Sequence, residues 1–316
     1  MNSGLLNSDQ LKAEALRLGF SHCGLAPAEP VDEVVVAHRD EWLREGRQGE
    51  MHYLERYSDL RRDPRLLLPG AKTVVSLAMS YNPGANPTQA GLAWYAQGRD
   101  YHDVVREYLQ HLVSHLSLLA PDYRICVDSA PIMESYWAWR CGLGWIGRHT
   151  QLVVPHEGSA FFLSELLLTV EADKYDRPLY DNPFHSGCGS CHRCIDACPT
   201  GALSEGGIDA RRCLSYLTIE HRGELSESVA PYLRECFYGC DRCMRACPHL
   251  SSKATPVPEF RPSSSLLAMS PSSWNALSPE EYQSLFRGSA VKRAKYEGLC
   301  RNISLAYGKR EEGDSA

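Results

Sequence analysis

The sequence predicts an α/β domain, then a two-[4Fe–4S] ferredoxin-like domain, then a short helical C-terminal region. Three observations lead there. Apolar, β-branched runs alternate with amphipathic helical stretches over residues 1–175, which is the pattern of an α/β layer structure. Cys188, Cys191, Cys194 and Cys198, followed by Pro199, read C-x2-C-x2-C-x3-C-P, and Cys240, Cys243 and Cys247, followed by Pro248, form a second run. That spacing is the one bacterial ferredoxins use to hold [4Fe–4S] clusters. Residues 279–308 return to a helical pattern.

Taken in order, Ser8 can cap a helix that runs to Leu18, with Gly19 as its stop. Residues 73–79 (TVVSLAM) are apolar and partly β-branched and predict a buried strand. Residues 82–87 (NPGANP) predict a loop. Over 104–119 the apolar residues recur on one helical face. Short strands are predicted at 124–127, ending at Asp128, and at 161–170. Over 176–255 Gly, Cys and Pro become frequent and long apolar strands disappear, as expected where metal ligation replaces much of a core. Residues 256–273 are rich in Pro and Ser and predict a linker, after which Ser278 and Glu281 have capping-box spacing. The expected domains are therefore 1–175, 176–255 and 256–316.

The bulk properties narrow the function. A chain of 316 residues is long for one core, and no apolar run approaches the roughly 20 residues that span a bilayer. The first twelve residues lack the basic and apolar regions of a signal peptide, so no membrane partner and a cytoplasmic location are expected. A net charge of −6 argues against general nucleic-acid affinity. It leaves room for a local basic surface, and Arg287, Lys292, Arg293, Lys295, Arg301, Lys309 and Arg310 stand against the single acid Glu297. Thirteen cysteines in a chain without an export signal fit metal sites better than disulfides. Zinc is the competitor, but successive x2 spacings closed by x3-C-P suit a cube corner better than a zinc knuckle.

In two-cluster ferredoxins the fourth cysteine of each run ligates the other cluster. Cys188, Cys191 and Cys194 are thus expected to share a cluster with Cys247, and Cys198 to join Cys240 and Cys243. The second set lacks one ligand. Cys236 and Cys213 can each supply it, and spacing favours Cys236. Cys23, Cys126, Cys141 and Cys300 sit in apolar or mixed surroundings and read as small core residues.

Segments outside the cysteine runs resemble the epoxyqueuosine reductase family. They are GEMHYLER at 49–56, WYAQGRDYH at 94–102, VDSAPIME at 127–134, GLGWIG at 142–147, RRCLSYLTIE at 211–220, YGCDRC at 238–243 and GLCRNISLAYG at 298–308. The motifs keep the family order over nearly the whole chain. The resemblance implies a cobalamin-binding N-terminal domain, two [4Fe–4S] clusters, and reduction of the epoxide of epoxyqueuosine in tRNA to the alkene of queuosine. It implies Asp128 as general acid, corrin contacts at Arg56, Asp128, Leu152, Leu163, Ser215 and Glu220, and Cys213 as the eighth cluster ligand, against the spacing preference for Cys236. Its implied partners are tRNA bearing epoxyqueuosine and an external low-potential electron donor. The chain departs from the family pattern at Arg148, at His249 after Cys247-Pro248, at Ser135-Tyr136-Trp137, and in stopping soon after Gly308.

The chemistry is consistent from below. Removing an epoxide oxygen needs two electrons that side chains cannot supply, and an acid to protonate the departing oxygen. Burial beside a corrin would raise the pKa of Asp128 for that task. The aromatic residues near Trp137, Trp139 and Trp145 are candidate tRNA contacts, Trp145 reads equally as core or as a stacking platform, and His102 is either a site contact or a structural histidine. Another corrinoid iron–sulfur reductase, such as a reductive dehalogenase, and a non-enzymatic electron carrier are the competing readings. A carrier leaves about 175 N-terminal residues without a purpose.

Overall fold

A computed structural model describes residues 5–85, 87, 90–255 and 257–308. Part of the loop at 82–87, the first residue of the 256–273 segment, and Lys309 and Arg310 of the basic segment lie outside them.

The centre is a four-stranded sheet of β1 (His22–Pro27), β2 (Thr73–Ser80), β3 (Tyr123–Cys126) and β4 (Phe161–Leu168), in the order β1-β2-β4-β3. Every pairing is antiparallel. Helices and strands alternate along the chain as expected, but the sheet lacks the parallel pairing of βαβ units. β1 was not evident from sequence, because Gly24 and Pro27 dilute its β signal. Gly24 is needed there, since a Cβ would collide with the carbonyl of Cys141.

Both faces of the sheet are covered, which explains why β2 is buried almost end to end rather than alternating. On one face Leu25, Val75, Leu77, Met79 and Leu166 pack against α1 (Ser8–Leu18) and α3 (Tyr101–His115). On the other, Ala26, Val74, Ala78 and Leu167 meet Val35 and Val36 of α2 (Glu33–Arg44) and the aromatic run of α4 (Glu134–Arg140). Each large apolar side chain buried this way contributes about 1.5–3 kcal/mol. Asn7, not Ser8, caps α1: its side chain accepts the N–H of Gln10 at 2.8 Å. Gly19 ends the helix with φ +113°, a conformation that favours glycine. Asp100 caps α3, which begins three residues before the predicted start.

The 256–273 segment packs against the sheet. Val257 and Phe260 belong to the core under the sheet, and Thr255 donates its N–H to Asn82 O at 2.7 Å. The segment predicted as a linker is therefore packed chain with short helices at Ser264–Leu267 and Pro271–Asn275. A third core joins Leu92 and Ala96 to α5 (Leu214–Ile219), Phe237, Tyr238, Trp274 and the last helix, α6 (Lys295–Tyr307). The Ser278–Glu281 capping box is present. Among the described residues no helix is long and apolar enough to cross a membrane.

Candidate active site and cluster-ligand cysteines

β3 ends at Cys126, and two residues later Asp128 turns the chain with φ +48°. Asp tolerates this left-handed conformation better than most residues, and such strain gathers at functional sites. Its Oδ2 lies 2.7 Å from His102 Nε2, and His102 Nδ1 lies 2.7 Å from Asp100 Oδ1. Asp100 and His102 stand at the start of α3, so the cap that begins the helix also orients the imidazole. Tyr101 stacks on the His102 ring at 4.1 Å and on Phe162 of β4 at 4.4 Å. The histidine is thus held from three sides.

Burial works to lower the His102 pKa, but the two carboxylates outweigh it and push it up to about 9. Burial works to raise Asp128. The hydrogen bond and charge of His102, with help from Tyr101 and Arg293, outweigh that and hold the carboxyl below its usual range. Half of the Asp128 side chain remains open, at 52%. In this arrangement the pair favours the charged form of each partner.

Beside this triad Glu134, the first residue of α4, accepts the Asp128 N–H at 2.6 Å through Oε1. Burial, with the charge of Asp128 adding to it, pushes Glu134 up to about 8. Beneath it Glu165 of β4 is wholly buried and accepts from Ser76 Oγ at 3.2 Å, while its Oε2 has no partner. Burial, then the charge of Glu134, raises Glu165 well above the carboxylate range.

Glu134 also lines a large apolar cavity of about 510 Å³, together with Val35, Trp42, Ile132, Phe184 and Arg61. The buried Nε of Arg61 has no hydrogen-bond partner. A roomy, mainly apolar cavity with an unpaired guanidinium donor fits a large ring carrying polar side arms, as a corrin does. The six expected corrin contacts are not among the lining residues of this cavity. Asp128 borders it through its N–H to Glu134. Leu152 is buried in the short strand Leu152–Val153, two residues from the lining residue Thr150, and Leu163 is partly buried on β4. Arg56 is exposed and Ser215 is half-buried on α5. Glu220 caps the end of α5 and receives two 2.8 Å hydrogen bonds from Arg293.

Arg293 lies 5.3 Å over the ring of Tyr53. Burial pushes Tyr53 up to about 12, with the charges of Glu220 and Asp128 adding and Arg293 opposing. Tyr53, Glu220, Arg293 and Asp128 therefore face a common space. Tyr53 and Tyr57 are exposed, at 41% and 65%. Trp137, Trp139 and Trp145 are not: all three are core residues, which removes Trp137 and Trp139 as contacts and bears out the core reading of Trp145. The basic segment divides as well. Arg301 spends its guanidinium on the carbonyls of Leu217, His221 and Gly223, whereas Arg287, Lys292 and Lys295 are exposed.

The cysteines gather in two groups. Cys188, Cys191, Cys194 and Cys247 line one small cavity beneath Trp145 and His149. Burial raises Cys194 to about 11, and neighbouring Cys188 and Cys247 add to it. In the second group burial raises Cys240 to about 11, with Cys213 adding. Cys243 is raised by burial and then by Cys240, Cys213 and, across the gap between the groups, Cys194. Cys213 in turn feels Cys198. Cys236 turns its thiol to the carbonyls of Tyr238 at 3.1 Å and Gly239 at 3.5 Å. This contact sets Cys236 apart from the two groups. Two donors point at sulfurs of these groups: Trp145 Nε1 is 3.3 Å from Cys188 Sγ, and Ala202 N is 3.2 Å from Cys198 Sγ. Gly187 permits the first, because a Cβ there would run into the indole.

Residues 61–129 match the family described as epoxyqueuosine reductase QueG, DUF1730, and residues 187–249 match a 4Fe-4S double cluster binding domain. The chain is 38% identical over 311 residues to the epoxyqueuosine reductase of Cellulophaga algicola, covering 96% of this chain and 99% of that one. It is 36% identical over 314 residues to the Escherichia coli epoxyqueuosine reductase, covering 95% and 80%. Among solved structures it is similar to an epoxyqueuosine reductase bound to an epoxyqueuosine-modified tRNA-Tyr stem loop, with TM-score 0.79 and 28% identity over 94% of this chain and 80% of that one. It is also similar to the Bacillus subtilis enzyme with its catalytic aspartate loop swung out of the active site, with TM-score 0.77 and 28% identity over the same shares.

Proposed function

The chain belongs to the epoxyqueuosine reductase family, and on that premise we propose that its residues reduce the epoxide of epoxyqueuosine in tRNA to the alkene of queuosine, with Asp128 as general acid. The observation that carries the assignment of the acid is the Asp128–His102–Asp100 chain of hydrogen bonds at the mouth of the large apolar cavity. The cofactors are two [4Fe–4S] clusters and a cobalamin. When bound, they supply low-potential electrons and a strongly reducing cobalt centre.

Cys188, Cys191, Cys194 and Cys247 hold one cluster, and Cys198, Cys213, Cys240 and Cys243 the other. The mutual reach of Cys243 and Cys194 supports neighbouring clusters. Arg56, Asp128, Leu152, Leu163, Ser215 and Glu220 are proposed to contact the corrin, and Arg61 lines the cavity it would enter.

The reaction consumes two electrons and two protons, breaks both carbon–oxygen bonds, forms the carbon–carbon double bond and releases water. The residues deliver the first proton, and solvent supplies the second as the oxygen leaves as water. His102 carries one, and the 2.7 Å contact lets it pass to Asp128 Oδ2 as substrate displaces water from the half-open side chain. Loss of water strengthens the desolvation that already works to raise the acid. Asp128 then protonates the departing oxygen, a role typically worth 10²–10⁴-fold. Asp100 keeps His102 oriented and cationic. The positive-φ turn lets Asp128 approach and withdraw, in keeping with the relative whose aspartate loop is swung out.

The tRNA must present its modified base splayed from the stack. Exposed Tyr53 and Tyr57, with Lys292 and Arg293 beside them in space or sequence, are the surface offered to it. The electron donor is an external low-potential carrier, and the reaction belongs in the cytoplasm, where tRNA is. The test is direct: anaerobically purified protein with two clusters and cobalamin should convert epoxyqueuosine to queuosine in a tRNA stem loop. Cluster-replete, cobalamin-loaded protein that leaves the epoxide intact would reject the reading.

A further inference from the structure

The main chain of Asp128 has a partner of its own. We propose that Glu134 is a positioning residue that latches the Asp128 loop inward by accepting its backbone N–H. The inference rests on the reading of Asp128 as the acid.

The loop from Val127 to Met133 is held mostly by itself: Ser129 N–H reaches Val127 O at 2.6 Å, and Ile132 N–H reaches Ala130 O at 2.8 Å. Left-handed backbone is disfavoured at a residue with a Cβ, even for Asp, so an outside hold helps to keep φ at +48°. His102 grips only the side chain, and a side chain can keep a partner while the backbone pivots. The 2.6 Å bond to Glu134 Oε1 fixes the pivot itself.

Glu134 is anchored to do so. It opens α4, whose next turn buries Tyr136, Trp137 and Trp139 in the core. Behind its carboxyl stands Glu165, wholly buried, with Arg61 lining the same cavity. A neutral carboxyl, the form that burial favours at Glu134, and an amide each offer an oxygen that accepts an N–H, so the latch needs an acceptor at this reach and not a charge.

The test compares Glu134→Ala, Glu134→Gln and Asp128→Asn in protein loaded with clusters and cobalamin. Turnover of an epoxyqueuosine stem loop is measured alongside hydrogen exchange of peptides spanning 127–133. Glu134→Ala should lower kcat by about 10–100-fold, the scale of a misplaced catalytic group, with KM little changed and faster exchange in the loop. Glu134→Gln should keep both near those of the unaltered chain. Normal kcat in Glu134→Ala, or equal loss in both Glu134 variants, overturns the latch. If Glu134→Ala fails to fold, Glu134→Asp replaces it: its carboxyl falls one methylene short, and normal turnover there overturns the proposal. Asp128→Asn separates the two layers. If it turns over normally, the acid reading fails; if it is inactive while Glu134→Ala is normal, the latch alone fails.

Discussion

His102 Nε2 meets Asp128 Oδ2 at 2.7 Å although the two residues are 26 positions apart. One comes from the first turn of α3, the other from the turn after β3. Their pairing sets the charge of the site: a cationic imidazole and an ionised carboxylate, each holding the other in that form.

The pH dependence follows from the directions of the two shifts. His102 has its pKa raised to about 9, so the stability it contributes is whole below its unfolded value near 6.5 and fades as pH rises through about 9. Asp128 is shifted the other way; its share is present above the unfolded carboxylate value and lost on acidification. Turnover should fall on the alkaline side near pH 9 as His102 loses its proton. His102→Gln should remove that limb and lower kcat by about 10²-fold, as read from a pH–rate profile with the clusters intact.

Cysteine replacement distinguishes the eighth ligand. Cys213→Ala should lose the iron of one cluster, while Cys236→Ala, whose thiol faces the Tyr238 and Gly239 carbonyls, should keep both. Iron and sulfide analysis of anaerobic protein reads the difference. The opposite pattern would return the assignment to Cys236.

The C-terminal region is tied to the cluster region by Asn302. It is fully buried and its Nδ2 donates to Thr218 O at 2.8 Å and Phe237 O at 2.9 Å. Asn302→Ala leaves two buried carbonyls without their donor and should cost about 2–4 kcal/mol, measured by denaturant unfolding of matched cluster-loaded samples.

Lys292 is exposed, whereas Arg293 is engaged with Glu220 and Tyr53. Lys292→Glu should weaken stem-loop binding and reduce its salt slope by about one counterion. Arg293→Glu should do this and also disturb the active-site rim, raising KM and lowering kcat together. Unchanged binding by both at physiological salt would reject this surface.

Much of this was legible before folding, because spacing alone carries cluster ligation and a buried strand such as β2 advertises itself by its apolar run. The proposal of Cys213 needed the motif around it, since the nearer Cys236 has the better spacing; the carbonyl partners of the Cys236 thiol came only with the fold. The sheet pairing, β1 and the packed 256–273 segment were hidden because long-range contacts decide them. The same holds at the site. Nothing local joins His102 to Asp128, or Glu220 to Arg293 at 73 positions' distance. The tryptophans misled for a related reason: an aromatic run reads alike whether it faces a base or a core.

Asp128→Asn under single-turnover conditions tests the account most directly. Asparagine tolerates the same positive φ and occupies nearly the same space, but it cannot deliver a proton to the leaving oxygen. The variant should retain both clusters, bind cobalamin and the epoxyqueuosine stem loop as the unaltered chain does, and form no queuosine on the timescale of the normal reaction. Queuosine formation at the normal single-turnover rate would contradict Asp128 as the acid.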